Sequence, residues 1–331
     1  MLVEEIQENI NRKIPFVVYQ KPNQQEVFYV KEEKGSKTFL FSSFDQKQQF
    51  QIRYKEAIVV DWLKEDIKLE LPQSVFPNDT IPKTVYKEQV QKVIDYIRDR
   101  KAEKIVFSHT ILLEKKVNTF QTFKALLKNY PRAFCYLWFH PKTGVWIGAT
   151  PETLIKTQGN NLKTMSLAGT KTLEQEWSVK EIQEQKIVSE YIKKQLEPFS
   201  KTITISEVQT VQSGMIQHLL TEISVVLKTK NYKQIIQKIH PTPAVCGVPT
   251  EKAKAYIQKY EKYNRLFYTG FLGELDNNYA ELYVNLRCAQ LNASQVKLYA
   301  GGGINALSDP EKEWQETLWK VQAIKKYLVF I

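Results

Sequence analysis

The 331-residue sequence contains only three cysteines and four histidines, and neither set is spaced for covalent or metal chemistry. Cys135, Cys246 and Cys288 are odd in number and far apart, which argues against a disulfide framework and a paired-thiolate zinc site. His109, His140, His218 and His240 lack close ligand spacing, so each taken alone reads as a hydrogen-bonded structural residue. No apolar run is long enough to cross a bilayer, and the N-terminal Met1-Leu2-Val3-Glu4-Glu5-Ile6-Gln7 has no basic stretch ahead of an apolar one. Both absences point to the cytoplasm. The net charge of +11 is spread along the chain, without a basic arm or a nucleic-acid motif. An anionic small molecule accounts for it as well as a nucleic acid does.

The rest of the composition is that of a globular protein, 43% hydrophobic and 25% charged, with enough apolar material for one large domain or two ordinary ones. Short β-like runs at 16–19, 27–30 and 38–41 fall within residues 1–80, where no chemistry is evident. Pro72, Pro77 and Pro82 mark a connector without periodicity. Beyond it the periodicity predicts helices over 84–99, 120–127, 232–239 and 251–260, and strands over 104–113, 133–139 and 280–289. An apolar element is expected over 215–227. Ser178 and Glu181 form a capping box that opens a helix reaching about Leu196.

Several stretches place reactive side chains in unusual surroundings. Lys104 opens a strand, where a lysine is commonly just a polar edge. Glu152 lies at a Gly148-Ala149-Thr150-Pro151-Glu152 break between apolar runs; buried there it would have a raised pKa, and at a surface turn it would not. Residues 166–170 read as a turn of small residues able to offer backbone N–H groups and a hydroxyl to an anion. Glu184 shares a helix face with Ile187, Val188 and Tyr191, so its carboxylate needs a cation or a hydrogen-bond donor. His240-Pro241-Thr242-Pro243-Ala244 opens a stiff, proline-rich loop. Arg287, in a β-like run, suits a carboxylate clamp. Gly301-Gly302-Gly303 reads as a sharp turn that also brings the backbone close to a bound group. A helix follows, with Ser308 or Asp309 as cap and Pro310 at its first position. Glu313, Glu316 and Lys320 fall on one face of it, as catalytic groups or as solvated ion pairs.

Taken together, these stretches resemble the chorismate-utilising enzymes, the family of isochorismate, salicylate, anthranilate and aminodeoxychorismate synthases. The likeness runs from about Thr84 to the C-terminus. It rests on the Gly148 to Glu152 stretch, Leu167-Ala168-Gly169-Thr170, the His240 loop with Gly247 and Pro249, Arg265-x-x-Tyr268-x-Gly270, and the glycine loop with Glu313, Glu316 and Lys320. The resemblance implies an α+β fold, a single large domain over 1–331 with two packed β-sheets flanked by outer helices. Within it, residues 1–80 form a variable β-rich part and 84–331 carry the conserved motifs. It also implies a bound Mg²⁺, with Glu184 and Glu316 as ligands and Glu313 beside them, acting through water. Lys104 aligns with a general base for water and Glu152 with a general acid. Gly169, Thr170, His240, Tyr268, Arg287, Gly302, Gly303 and Lys320 align with substrate-binding positions.

Three positions depart from the family pattern. Gln185 stands where histidine is frequent, Glu181 where aspartate is common, and His109 where arginine is common. They flank the expected site without replacing it. A lysine at 104 resembles the water-using enzymes, so the expectation is an isochorismate synthase acting on chorismate. Salicylate synthase is the alternative, ahead of an ammonia-using synthase and of a basic anion-binding or nucleic-acid-binding module. A monomer without a glutamine amidotransferase subunit, bound to neither membrane nor nucleic acid, completes the expectation.

Overall fold

The computed structural model describes residues 2–62, 68–213 and 216–331. Its first elements are α1 (Leu2–Asn11), β1 (Phe16–Gln20), β2 (Val27–Lys31), β3 (Lys37–Ser42), β4 (Gln49–Tyr54) and β5 (Ile58–Val60). After the proline connector come α2 (Lys83–Arg98), β6 (Lys104–Leu113), α3 (Thr119–Asn129), β7 (Phe134–His140), β8 (Gly144–Thr150), β9 (Thr153–Gln158) and β10 (Asn161–Thr172). The middle of the chain forms α4 (Val179–Leu196), β11 (Ser200–Ile205), β12 (Gln209–Ser213), β13 (Ile216–Leu227), α5 (Tyr232–Ile239), β14 (Gly247–Val248) and α6 (Thr250–Tyr260). The last elements are β15 (Phe271–Leu275), β16 (Ala280–Val284), β17 (Cys288–Leu291), β18 (Val296–Ile304) and α7 (Pro310–Lys325). Of the element expected over 215–227, Met215 lies outside the described residues.

The strands form two antiparallel sheets. The first runs β14-β6-β18-β17-β8-β7-β1-β2-β5 and the second β11-β13-β10-β9-β16-β15-β3-β4, with β12 paired to β13. Strands from the first 60 residues therefore complete both sheets, and α1, β4 and β5 add to the three runs expected there; β4 alternates polar and apolar residues from Gln49 to Tyr54.

Alternation explains why both faces of these strands are apolar. Phe134, Tyr136 and Trp138 of β7 point into the layer between the sheets, and Cys135, Leu137 and Phe139 point outward. The inner layer is strongly aromatic: Phe41 meets Trp138 edge-on at 5.2 Å, and Phe134 stacks on Tyr283 at 4.2 Å. On the outer face of the first sheet lie α1, α3 and α7, contributing Ile6, Phe120, Phe123, Leu126, Val321 and Ile324. The second sheet is covered by α4 and α5, through Val188, Ile192, Leu196, Ile235, Ile236 and Ile239. Each such aliphatic side chain stabilises the layer by roughly 1.5–3 kcal/mol relative to exposure. The result is two packed sheets flanked by outer helices, with α2 and α6 closing the β6 end through Tyr86, Val90, Ile94, Ala253 and Ile257. Among the described residues no helix is long and apolar enough to cross a membrane.

Two of the passages of chain that cross from one sheet to the other run side by side. After β8 in the first sheet, Pro151 and Glu152 lead into β9 in the second; after β16 in the second, residues 285–287 lead into β17 in the first. The crossings brace each other: Val284 N donates to Glu152 O at 3.0 Å, and Ala149 N to Arg287 O at 3.1 Å.

Candidate active site

The crossings, the end of β10 and the end of β18 enclose a pocket with an empty volume of about 660 Å³. Glu152, Gly169, Thr170, Glu184, Tyr268, Arg287, Gly303 and Lys320 line it, so residues spread over 169 positions of sequence meet at one place. Lys104, Gly302, Glu313 and Glu316 stand directly behind that lining. His240 does not line the pocket; its ring packs edge-on against Phe271 at 4.9 Å and burial lowers its pKa to about 3. Its loop is braced from the N-terminal part instead, with Gln46 Nε2 donating to His240 O at 2.8 Å.

Three local expectations need correction. Gly301-Gly302-Gly303 makes no sharp turn: all three lie within β18, paired with Ser108, Phe107 and Val106 of β6. What the glycines provide is close approach. A Cβ on Gly302 would sit 2.6 Å from Glu313 Oε2, and one on Gly303 would collide with the Glu184 carboxylate and approach Lys104 Cε to 2.9 Å. Residues 166–170 are likewise no turn but part of β10, where a bulge between Ala168 and Lys171 and Gly169 at φ +73° turn the strand locally toward the pocket. The expected strand 280–289 is broken at Arg287, which adopts φ +47° where the chain changes sheets. Alternation continues through that break, so the period alone hides it.

Lys104 is fully buried at the start of β6, with its Nζ 2.9 Å from Glu184 Oε1. Burial lowers its pKa below that of an ordinary lysine, only partly offset by Glu184. Glu152, 3% exposed, is displaced the other way: burial raises its carboxyl to about 8 against the pull of Lys104 and Lys320. Lys104, behind the lining, thus gives up its proton more readily than an ordinary lysine, and Glu152, in the lining, holds its proton more tightly than an ordinary carboxyl.

The capping box at Ser178 starts α4 as the sequence indicates, with Ser178 N donating to Glu181 Oε2 at 3.1 Å. Its buried face carries Lys180, Glu184, Gln185, Val188 and Ile192, while Ile187 and Tyr191 are only half-buried. Gln185 is fully employed: Ser166 Oγ donates to its Oε1 at 2.6 Å and its Nε2 donates to Thr221 Oγ1 at 2.9 Å, fixing α4 to the second sheet beside Glu184. Asp309 caps α7 by accepting from Glu311 N and Lys312 N, whereas Ser308 Oγ donates to Glu313 Oε1 at 2.6 Å.

Glu184, Glu313 and Glu316 are all at least nine-tenths buried. Glu316 Oε1 pairs with Lys320 Nζ at 2.6 Å, and the same ammonium donates to Gly301 O at 2.8 Å. Burial would raise Glu184, but Lys104 and Lys180 hold it below the usual carboxylate range; Glu313 is raised by burial and by Glu316. Glu184 Oε2 and Glu313 Oε2 are buried with no hydrogen-bond partner. Such hard, orphaned oxygens match the donor chemistry of Mg²⁺. They do not converge on one point, however; among the described residues no group of three or more ligating side chains is gathered ready for a metal, and the three carboxylates surround Lys180.

Two residues of this site escape sequence reasoning. Lys180 is one; its only local sign is an ammonium in the first turn of a helix, four residues before Glu184. His218 of β13 is the other: it lines the pocket, with Nε2 3.0 Å from Arg287 Nη2 and Nδ1 2.8 Å from Gly169 O. Among the described residues Arg287 Nη1 is buried without a hydrogen-bond partner, which leaves it for a ligand. Arg265, a motif residue, is structural: it donates to Val245 O, Val106 O and Glu261, tying the His240 loop to β6. Tyr268 stacks on Tyr299 at 5.3 Å in the pocket wall.

The sequence profile described as chorismate binding enzyme matches residues 36–329. The chain is 29% identical over 243 residues to the isochorismate synthase MenF of Haemophilus influenzae, an alignment covering 69% of this chain and 56% of that protein. It is 28% identical over 263 residues to the isochorismate synthase DhbC of Bacillus subtilis, covering 72% and 66% respectively. The matched region is therefore less than two thirds of each curated relative. The solved structure of MenF, the menaquinone-specific isochorismate synthase of Escherichia coli, superposes with a TM-score of 0.82 at 21% identity, covering 95% of this chain and 88% of that one. That likeness is one of fold.

Proposed function

The chain belongs to the chorismate binding enzyme family, and from that footing we propose that it is an isochorismate synthase, moving a hydroxyl from C4 of chorismate to C2. The observation that carries this reading is the opposed displacement of two buried groups in one site, Lys104 downward and Glu152 up to about 8. An acid–base pair working near neutral pH needs that displacement.

Lys104, in its neutral form, takes a proton from water as the water oxygen bonds to C2. Both ring double bonds shift by one position, from C1=C2 to C1=C6 and from C5=C6 to C4=C5, the C4–O bond breaks, and Glu152 gives its proton to the departing hydroxyl, which leaves as water. One water enters and one leaves, so the reaction is an isomerisation and runs in both directions. Arg287 Nη1 and Lys320 bind substrate carboxylates, Thr170 and the bulge at Gly169 bound the ring, and the stacked Tyr268 excludes water from one wall. Glycines at 302 and 303 let the substrate and the carboxylates approach the β18 backbone. A bound Mg²⁺ would supply a Lewis-acid clamp for a carboxylate, held by Glu184 and Glu316 and, through water, by Glu313. The chemistry stays within residues 84–331, while β1 to β5 complete the sheets and Gln46 braces the His240 loop.

The test is product analysis after incubation with chorismate and Mg²⁺ in the absence of ammonia. Isochorismate without pyruvate is expected. Salicylate with an equal amount of pyruvate would replace this reading by salicylate synthase, and no turnover by folded protein would overturn it.

A further inference from the structure

Lys180 is buried where a cation is unfavourable. It is the second residue of α4, so its charge opposes the positive end of the helix dipole, and it is only 8% exposed. Its Nζ lies 3.0 Å from Glu313 Oε1, 3.4 Å from Glu184 Oε2 and 3.8 Å from Glu316 Oε2. Among the described residues it is the one ammonium within 4 Å of all three carboxylates. Asn305 Nδ2 donates to the Lys180 carbonyl at 3.3 Å, which fixes this first turn to the loop ahead of α7. The backbone is held, and the long side chain is what can move.

We propose that Lys180 is a tethered counter-ion that competes with Mg²⁺ for the centre of the carboxylate cluster, its ammonium leaving that place when Mg²⁺ binds. The inference rests on the cation site described above, and it accounts for two features of that site. The carboxylates are spread around an ammonium, so they do not converge on a point. Two of their oxygens, Glu184 Oε2 and Glu313 Oε2, also lack hydrogen bonds: Lys180 Nζ stands 3.4 Å from the first and 3.0 Å from the other oxygen of Glu313, which leaves both for a second cation. Val179 and Ile182 in the same turn, and Leu307 beside it, are more than half exposed, so a rotation of the four-carbon stem takes the charged head to solvent while the stem stays packed. The lysine holds the ligands together before the metal arrives, and the metal binds against its competition.

The experiment compares Mg²⁺ binding to wild type and Lys180→Met by calorimetry with MgCl₂ alone, and thermal stability with and without Mg²⁺. Removing the competing charge is expected to lower the Kd at least tenfold, to lower the metal-free Tm, and to enlarge the Tm gain on adding Mg²⁺. A Kd that is unchanged or raised, with a normal wild-type response, would overturn the competition alone. Absence of any Mg²⁺ response in both proteins would overturn the competition and the metal reading together. Should Lys180→Met not fold, lysine acylation of the wild type read by mass spectrometry serves in its place. Labelling of Lys180 should rise several-fold with Mg²⁺, and equal or lower labelling would overturn displacement.

Discussion

His218 accepts a hydrogen bond from Arg287, and the direction of that bond is fixed from the other side of the ring. Gly169 O can only accept, so the Nδ1 atom 2.8 Å from it carries the proton and Nε2 is left as the acceptor for Arg287 Nη2 at 3.0 Å. Burial, and then the guanidinium itself, lower the imidazole pKa to about 3, so the ring stays neutral at working pH. Arg287 is thereby held with Nη1 free. Hydrogen bonds to charged groups contribute about 1.5–3 kcal/mol, so His218→Leu should raise KM for chorismate roughly ten- to hundred-fold. His218→Gln, which keeps an acceptor, should recover part of that loss. An unchanged KM in His218→Leu would mean that Arg287 needs no second anchor.

The acid assignment predicts a pH profile. With Glu152 raised to about 8 by burial, kcat/KM should be level through neutral pH and fall as pH rises through about 8, where the carboxyl loses the proton it must donate. Glu152→Gln should lower kcat by about 10²–10⁴ and remove that alkaline limb. Lys104→Met should cost as much in rate while leaving Glu184 paired with Lys180. Retention of the alkaline limb in Glu152→Gln would assign it to another group.

Much of this site is legible in the sequence because its signals are local. A capping box starts α4, an Asp-Pro pair starts α7, and Glu184 sits on the buried face of its helix. Elements whose form depends on distant partners are not legible. Three consecutive glycines read locally as a turn, yet pairing with β6 makes them strand. The alternation of 280–289 runs unbroken through Arg287, because the change of sheet there is set by the bracing of Glu152 and Val284. His218 and Lys180 acquire their roles from Arg287 and from two carboxylates of α7, more than 60 positions away in each case. The His240 motif is visible, but its ring turns to Phe271 and away from the pocket.

Three buried histidines set how stability responds to acid. His109, His218 and His240 are pushed down by burial to about 4, 3 and 3. A depressed pKa means that the unfolded chain binds more protons between those values and the ordinary 6.5, so the stability these groups provide is complete above about 6.5 and is lost as pH falls through about 4 and 3. Glu152 and Glu313, whose carboxyls are raised, oppose this over part of the same range, two groups against three. Tm should therefore decline as pH falls from about 6.5 to 4. A flat Tm over that interval would show that the histidines are not held neutral.

Gly303→Ala separates the site from the fold. Gly303 has no left-handed backbone, so alanine is conformationally acceptable, and the cost lies in what the new Cβ meets. It meets the end of the Glu184 side chain, whose Cδ would be 2.8 Å away, and Lys104 Cε at 2.9 Å. Both are tips of flexible side chains that can swing aside. The fold should survive with Tm within a few degrees, while the Lys104–Glu184 pair is pushed out of place. A displacement near 1 Å costs about 10²-fold in rate, so turnover should drop by at least that much and the Mg²⁺ response should weaken. Gly301→Ala gives the contrast: its Cβ would meet Phe107 O at 2.9 Å and Ser108 Cβ at 2.7 Å, backbone and stem of the paired strand that cannot step aside. That variant should lose stability first. Near-normal turnover in Gly303→Ala would mean that the Lys104–Glu184 geometry has slack, and would count against Lys104 as the base.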